Sequence, residues 1–169
     1  MKKILRIFSI LFFLNFLLIQ NSSYAQVYTG GNASVSFTNN NTYIDVAPIL
    51  GYQMGAFRLG ISPMFAYNKA QFSDARYTFG GRFFSQLTVF KGLFLHAEAE
   101  GLNVEDYINR DAEGNIQRKW VFGLPVGAGY SQSLGDRVNV QFMVLYNVIQ
   151  NNLYPYENPI FRGGINYSF

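Results

Sequence analysis

From residue 26 onward, apolar side chains recur at every second position, in stretches of roughly ten residues, over nearly the whole chain. A period of two belongs to the extended strand, whose side chains switch faces at each residue. The last ten residues show it most plainly. Phe161, Gly163, Ile165, Tyr167 and Phe169 fall on one face, and Arg162, Gly164, Asn166 and Ser168 on the other. Every such strand carries main-chain donors and acceptors on both edges, and each of them needs a partner.

Residues 1–25 follow a different rule. Lys2, Lys3 and Arg6 precede an apolar run over 7–19, interrupted only by Ser9 and Asn15. Ser23-Tyr24-Ala25 then places small residues at both recognition positions, the pattern of a secretory signal peptide cleaved after Ala25. The run is too short and wrongly flanked for a good transmembrane helix. The expected organisation is therefore a signal peptide over 1–25 and one domain over 26–169. Three of the 13 Lys and Arg residues lie in the leader and none of the 10 Asp and Glu, so ten of each sign remain. That balance gives no electrostatic case for nucleic acid as a partner. The chain has no Cys, which excludes a lipoprotein anchor, disulfides and thiolate metal sites. No apolar run after residue 25 approaches the ~20 residues of a membrane helix. An exported membrane protein without such a run is left with a closed barrel, since lipid satisfies no backbone group.

Eight alternating segments are present, over 32–38, 42–53, 56–68, 76–90, 93–103, 119–131, 137–149 and 160–169. Their connections alternate between short and longer. Met54-Gly55 reads as a two-residue turn, and Phe90-Lys91-Gly92 and Ser133-Leu134-Gly135 as three-residue loops, each with Gly where positive φ is wanted. The longer, more polar connections cover 69–75, 104–118 and 150–159, with Asn39-Asn40-Asn41 between the first two segments. Short turns inside and long loops outside are the pattern of an outer-membrane barrel, with both termini on the periplasmic side. Pairing Val89 with Leu93 sets a register that places Arg82 opposite Glu100.

Aromatic residues form two rows. Tyr52, Phe57, Tyr130, Tyr167 and Phe169 lie near the short turns, and Tyr67, Tyr77, Trp120 and Tyr146 near the long loops, as a girdle at two membrane interfaces requires. Pro48, Pro63 and Pro125 fall inside strands. A closed barrel has no free edge for a proline, so a bulge or a local ladder defect is expected near each. The faces before Pro48, including that of Asp45, depend on which occurs.

The export signal, the eight segments, the alternating connections and the ending Gly163-Gly164-Ile165-Asn166-Tyr167-Ser168-Phe169 together resemble the small eight-stranded outer-membrane β-barrels of the OmpA/OmpX type, within the broad outer-membrane beta-barrel domain family. Repeated stretches such as Pro48-Ile49-Leu50-Gly51-Tyr52 and Pro63-Met64-Phe65-Ala66-Tyr67 add to the likeness, which covers nearly the whole chain after the leader. The resemblance implies an all-β, antiparallel, up-and-down transmembrane barrel in the bacterial outer membrane. It implies outer-membrane lipid and the barrel-assembly machinery as partners, the latter reading the terminal aromatic strand. Members of the group serve as anchors, adhesion factors, small channels and, rarely, lipid-modifying enzymes, and fold analogy does not choose among them.

On the inward faces, Arg58, Arg82 and Arg162 stand against Asp45, Glu98 and Glu100. A barrel of eight strands is just wide enough to be filled by its side chains, and buried charges need partners. The expectation is a plugged, charge-paired lumen with a structural, anchoring or surface-interaction role. A narrow gated pore for small solutes is the main alternative, ahead of a soluble lipocalin-like barrel and a lipid-modifying barrel enzyme. His96, the one histidine, shares the inward face with Glu98, but Ser85 points the other way and supplies no nucleophile. The acidic residues Asp106, Asp111 and Glu113 lack the calcium-loop ligand spacing. No catalytic, metal or cofactor site is expected. Tyr107, Tyr154 and Tyr156 put aromatics on two loops, where they suggest a recognition patch for a protein partner.

Overall fold

The computed structural model describes residues 26–38, 41–70, 76–110, 116–149 and 151–169; the signal peptide read over 1–25 lies outside them. The described residues form nine strand segments: β1 (Gln26–Thr38), β2 (Asn41–Met54), β3 (Phe57–Ala70), β4 (Arg76–Phe90), β5 (Leu93–Arg110), β6 (Ile116–Gly123), β7 (Pro125–Ser133), β8 (Val138–Asn147) and β9 (Ile160–Ser168). β6 and β7 are two halves of one wall strand. Both pair with β5, and they are separated only at Leu124. All pairings are antiparallel between neighbours, and β9 returns to pair with β1. The architecture is the closed, eight-stranded, up-and-down barrel that the alternation predicts.

The two faces carry opposite chemistry. Val46, Leu50, Ile61, Phe65, Phe83, Phe122 and Ile165 stand exposed on the outside, while Asn32, Asp45, Arg82, Gln86, Glu98, Glu100, Gln141, Arg162 and Asn166 are buried inside. A water-soluble barrel of lipocalin type needs the reverse. Apolar outside and polar inside suits a wall bathed in hydrocarbon, as in a transmembrane barrel.

Three glycines mark the turns at the short-turn end, where φ is positive: Gly55 at 58°, Gly92 at 89° and Gly135 at 145°. The turns themselves differ in detail from the reading above. Met54 pairs with Phe57, so the first turn is Gly55-Ala56. Phe90 pairs with Leu93 after a register shift past Thr88, leaving Lys91-Gly92 as the turn. Ser133 pairs with Asn139, which makes the third connection longer than three residues and sets Tyr130 opposite Phe142. Parity survives in every case, so no face is inverted.

The strands also run further than the alternation showed. β1 begins at Gln26, which adds the buried Tyr28 to the lumen. β5 continues to Arg110, so Tyr107 lies on a strand and not in a loop. Phe169 falls just past β9, although its N–H still donates to the Val27 carbonyl at 3.3 Å.

The prolines break rungs without shifting register. Pro48 and Pro63 share one level of β2 and β3, where the ladder lapses between Val46–Phe65 and Leu50–Ile61 and then resumes in the same register. The two missing N–H donors are thereby concentrated in one gap, and Ser62 Oγ donates to the Pro48 carbonyl at 2.7 Å. Pro125 produces a similar lapse between Glu100–Gly123 and Ala97–Val126. Asp45 therefore keeps its inward face and is buried.

Packing inside the wall relies on large side chains lying over inward glycines. Tyr28 covers Gly51, Phe84 covers Gly60 and Phe94 covers Gly129, each ring filling the space a Cβ would take. This is how eight strands enclose rings without widening.

Candidate functional site in the lumen

The middle of the lumen holds a continuous set of ion pairs drawn from four wall strands. Arg82 on β4 donates through Nε to Glu100 Oε1 on β5, its partner across the ladder. Its Nη1 reaches Asp45 Oδ1 on β2 at 3.2 Å. Arg162 on β9 donates through Nη1 to Glu98 Oε1, through Nη2 to Glu100 Oε1 at 3.3 Å, and through Nε to Ser34 Oγ at 3.2 Å. Glu100 thus bridges both guanidiniums. All five charged groups are buried, which is tolerable only because each has several partners.

Arg58 stands apart. It is half-buried near the short turns, where Nε donates to Gln53 Oε1 at 2.7 Å and the guanidinium lies 5.4 Å from the Tyr28 ring centroid. The central cluster is consequently two guanidiniums against three carboxylates, and the three-against-three count does not describe it. Distance along the barrel is the reason: the inward face of β3 meets the central level at Ser62 and Met64, well above Arg58.

His96 extends the cluster toward the short turns. Its Nε2 lies 3.0 Å from Glu98 Oε2. The ring stacks on Phe84 at 5.6 Å and meets Phe94 edge-on at 6.5 Å. Its buried Nδ1 has no partner among the described residues. Below, a neutral chain takes over: Gln86 donates to Gln141 at 3.4 Å, and Gln141 to Asn32 at 3.0 Å. Among the described residues no group of His, Asp and Glu has the geometry of a metal site.

The largest departure from the sequence reading concerns the connection after β8, described over 148–149 and 151–159. It folds inward as a strap across the loop end. Tyr156 is buried, accepting from Arg82 Nη2 at 2.6 Å and donating to Asp45 Oδ2 at 2.7 Å. Its ring lies 5.8 Å from the Arg82 guanidinium and 5.9 Å from that of Arg162. Tyr154 donates to Glu100 Oε2. Burial pushes both hydroxyls above the usual phenol range, which keeps them protonated as donors. These two tyrosines are turned away from solvent and do not form an exposed patch. The side chain of Tyr107 lies outside the described residues.

A local signal for this exists. Proline holds its neighbours extended, so Tyr154-Pro155-Tyr156 presents both rings to one side. Asparagines fix the strap's two ends. Asn147 Oδ1 accepts from Leu124 N at 2.8 Å and Asn158 Oδ1 accepts from Asn147 N at 2.7 Å, side chains standing in where strand partners end. Above the ion pairs lies an apolar cluster of Tyr43, Ala66, Leu102, Val104, Val121, Leu145 and Ile160, on which Leu153 and the strap tyrosines pack.

On the exterior, Tyr52, Tyr130, Tyr167 and Phe169 are exposed around the short-turn end and Tyr67, Tyr77, Trp120 and Tyr146 toward the loop end, while Phe57 is half-buried. Near the upper row, Arg118 lies 4.9 Å from the Phe79 ring and pairs with Glu105 at 3.2 Å. Lys119 pairs with the buried Asp106 at 2.5 Å.

No family model matches the chain, and no curated protein matches it. Solved structures do. The chain is similar to Neisserial surface protein A, with a TM-score of 0.51 at 15% identity, over 86% of this chain and 97% of that one. It also aligns with the N-terminal β-barrel domain of Pseudomonas aeruginosa OprF at a TM-score of 0.45 and 14% identity, over 85% of this chain and 97% of that one. At these identities the likeness speaks to fold alone. Closed wall, inverted faces and the first of these matches agree: the chain has the fold of the small eight-stranded outer-membrane β-barrels.

Proposed function

We propose that the protein is a non-enzymatic barrel of the bacterial outer membrane, an anchor or surface-interaction element whose lumen is closed. The observation that carries this reading is Tyr156, which enters from the strap and bonds Arg82 and Asp45 at once. A barrel built for solute flow has no use for a buried ring at the centre of its charge cluster. The non-enzymatic part of this reading rests on the placement of His96, which has a carboxylate partner and two aromatic walls and, among the described residues, no nucleophile bonded to it. Lipid against the apolar belt, assembly by the barrel-insertion machinery and a protein partner at the loop end belong to the same reading.

Planar-bilayer recording tests it. Purified protein is expected to show no conductance steps. Steady conductance from the unmodified chain favours the second reading, a narrow gated pore, which the bridging position of Glu100 between Arg82 and Arg162 supports.

A further inference from the structure

The barrel wall is uneven at the loop end. β8 stops at Asn147 and β9 starts at Ile160, but β6 runs upward from Gly123 to Ile116 with β5 as its only strand partner among the described residues. On its other side, the one backbone contact among the described residues at this junction is Val148 N donating to the Leu124 carbonyl at 3.2 Å. β1 likewise extends above Ser34, the last residue that pairs with β9. Among the described residues a notch therefore opens between β6 and β1, and the strap, described over 148–149 and 151–159, crosses it.

An unpaired strand edge is a template for another strand. The nearest candidate is the strap, already attached by its first rung. Continuing the β7–β8 register, in which Pro125 faces Asn147 and Val126 faces Tyr146, sets Asn152 opposite Trp120 and Leu153 opposite Lys119. Tyr154 then reaches the level of Arg118, far from Gly123 and Glu100, against which it now rests. A second barrel fits this edge badly. Two copies sharing one membrane orientation present β6 to each other in parallel with opposed tilts, and the strands cross instead of pairing.

We infer that the strap is a two-position plug: inserted, with Tyr154 and Tyr156 on the ion pairs, or zipped onto the free edge of β6, with both rings withdrawn. The two positions exchange one set of bonds for another. Insertion makes the tyrosine hydrogen bonds and covers the apolar cluster, and zipping makes the missing wall rungs and hydrates the charges. Asn147 acts as the clasp, because its side chain holds the Leu124 N–H that zipping would claim, while Asn158 ties the far end of the strap to the Asn147 backbone. This inference rests on the closed-lumen reading.

The cysteine-free chain permits a direct test with two disulfide locks. Gly123→Cys with Tyr154→Cys holds the strap inserted, and Trp120→Cys with Asn152→Cys holds it zipped. Both are made in membranes under oxidation and compared before and after reductant. The zipped lock is expected to form, to protect the amides of β6 from hydrogen exchange and to give conductance that disappears on reduction. The inserted lock is expected to be silent. Failure of the zipped lock to form, or its formation without added amide protection, overturns the two-position plug. The closed-lumen reading fails separately, if the inserted lock conducts. Cross-linking of the Trp120→Cys single variant to another protein's strand, with no zipped lock, assigns the edge to a foreign partner and also overturns it.

Discussion

The outer and inner halves of the lumen are built from the same alternation and held by different forces. Toward the loops, charges from β2, β4, β5 and β9 form one network under an apolar cap. Toward the short turns, Gln86, Gln141 and Asn32 bond as neutral amides, and rings lie over glycines. Each arginine in the outer half binds residues far apart in the chain, so it fixes several strands together. In the inner half each ring-over-glycine contact fixes one pair of adjacent strands, and the bridge through Gln141 is made of neutral bonds. Damage should therefore spread in the outer half and stay local in the inner half.

Arg162→Met is the strongest test. It leaves Glu98 and Glu100 with lost partners in a buried site, a loss expected to cost about 3–5 kcal/mol. Chemical unfolding in detergent micelles, followed by the gel mobility of unboiled samples, measures it. Arg58→Met is the control, since its group is half-buried and bound to Gln53. Equal losses from the two variants would erase the contrast between the halves.

Tyr156→Phe comes next. The ring still fills its place beside Tyr43, 4.6 Å away, but the hydroxyl between Arg82 and Asp45 is gone. Hydrogen bonds to charged groups contribute about 1.5–3 kcal/mol each, and a loss in that range is expected from the same unfolding experiment. A neutral result would show that the strap is held by apolar packing alone.

Gly51→Ala probes the inner half. A methyl there meets the Tyr28 ring, and overpacking costs about 1–3 kcal/mol. Tyr28→Leu added to it should restore most of the loss, because the steric conflict is confined to one pair. Lack of rescue would mean that strain in the inner half also travels between strands.

Much of this was legible in the chain. Period two fixed the faces, and the register read from Val89 and Leu93 set Arg82 across from Glu100, as the ladder has it, although the turn itself pairs Phe90 with Leu93. Those features are local or follow from one turn. What was hidden depends on distance through space. Arg58 shares a face with Arg82, but nothing in the alternation reports its height relative to Glu98. Prolines 48 and 63 read as two separate defects, since their meeting at one level requires the β2–β3 register. The strap lacks period-two patterning, so its polar composition read as solvent-exposed loop. Its inward course follows from asparagine clips and from charges on other strands that need tyrosine hydroxyls.

The smallest effect is expected at Gln141→Leu. It removes an amide that accepts from Gln86 and donates to Asn32, all three being neutral, and such bonds are worth about 0.5–1.5 kcal/mol. The apolar replacement also joins Met143 on the buried face of β8, so part of the loss is recovered by burial. A change near the lower limit, against the much larger loss from Arg162→Met two strand-steps of chemistry away, places the barrel's cohesion in the charged level. A loss as large as that of Tyr156→Phe would instead make the amide chain an equal partner, with the neutral lower lumen as tightly coupled as the charged one.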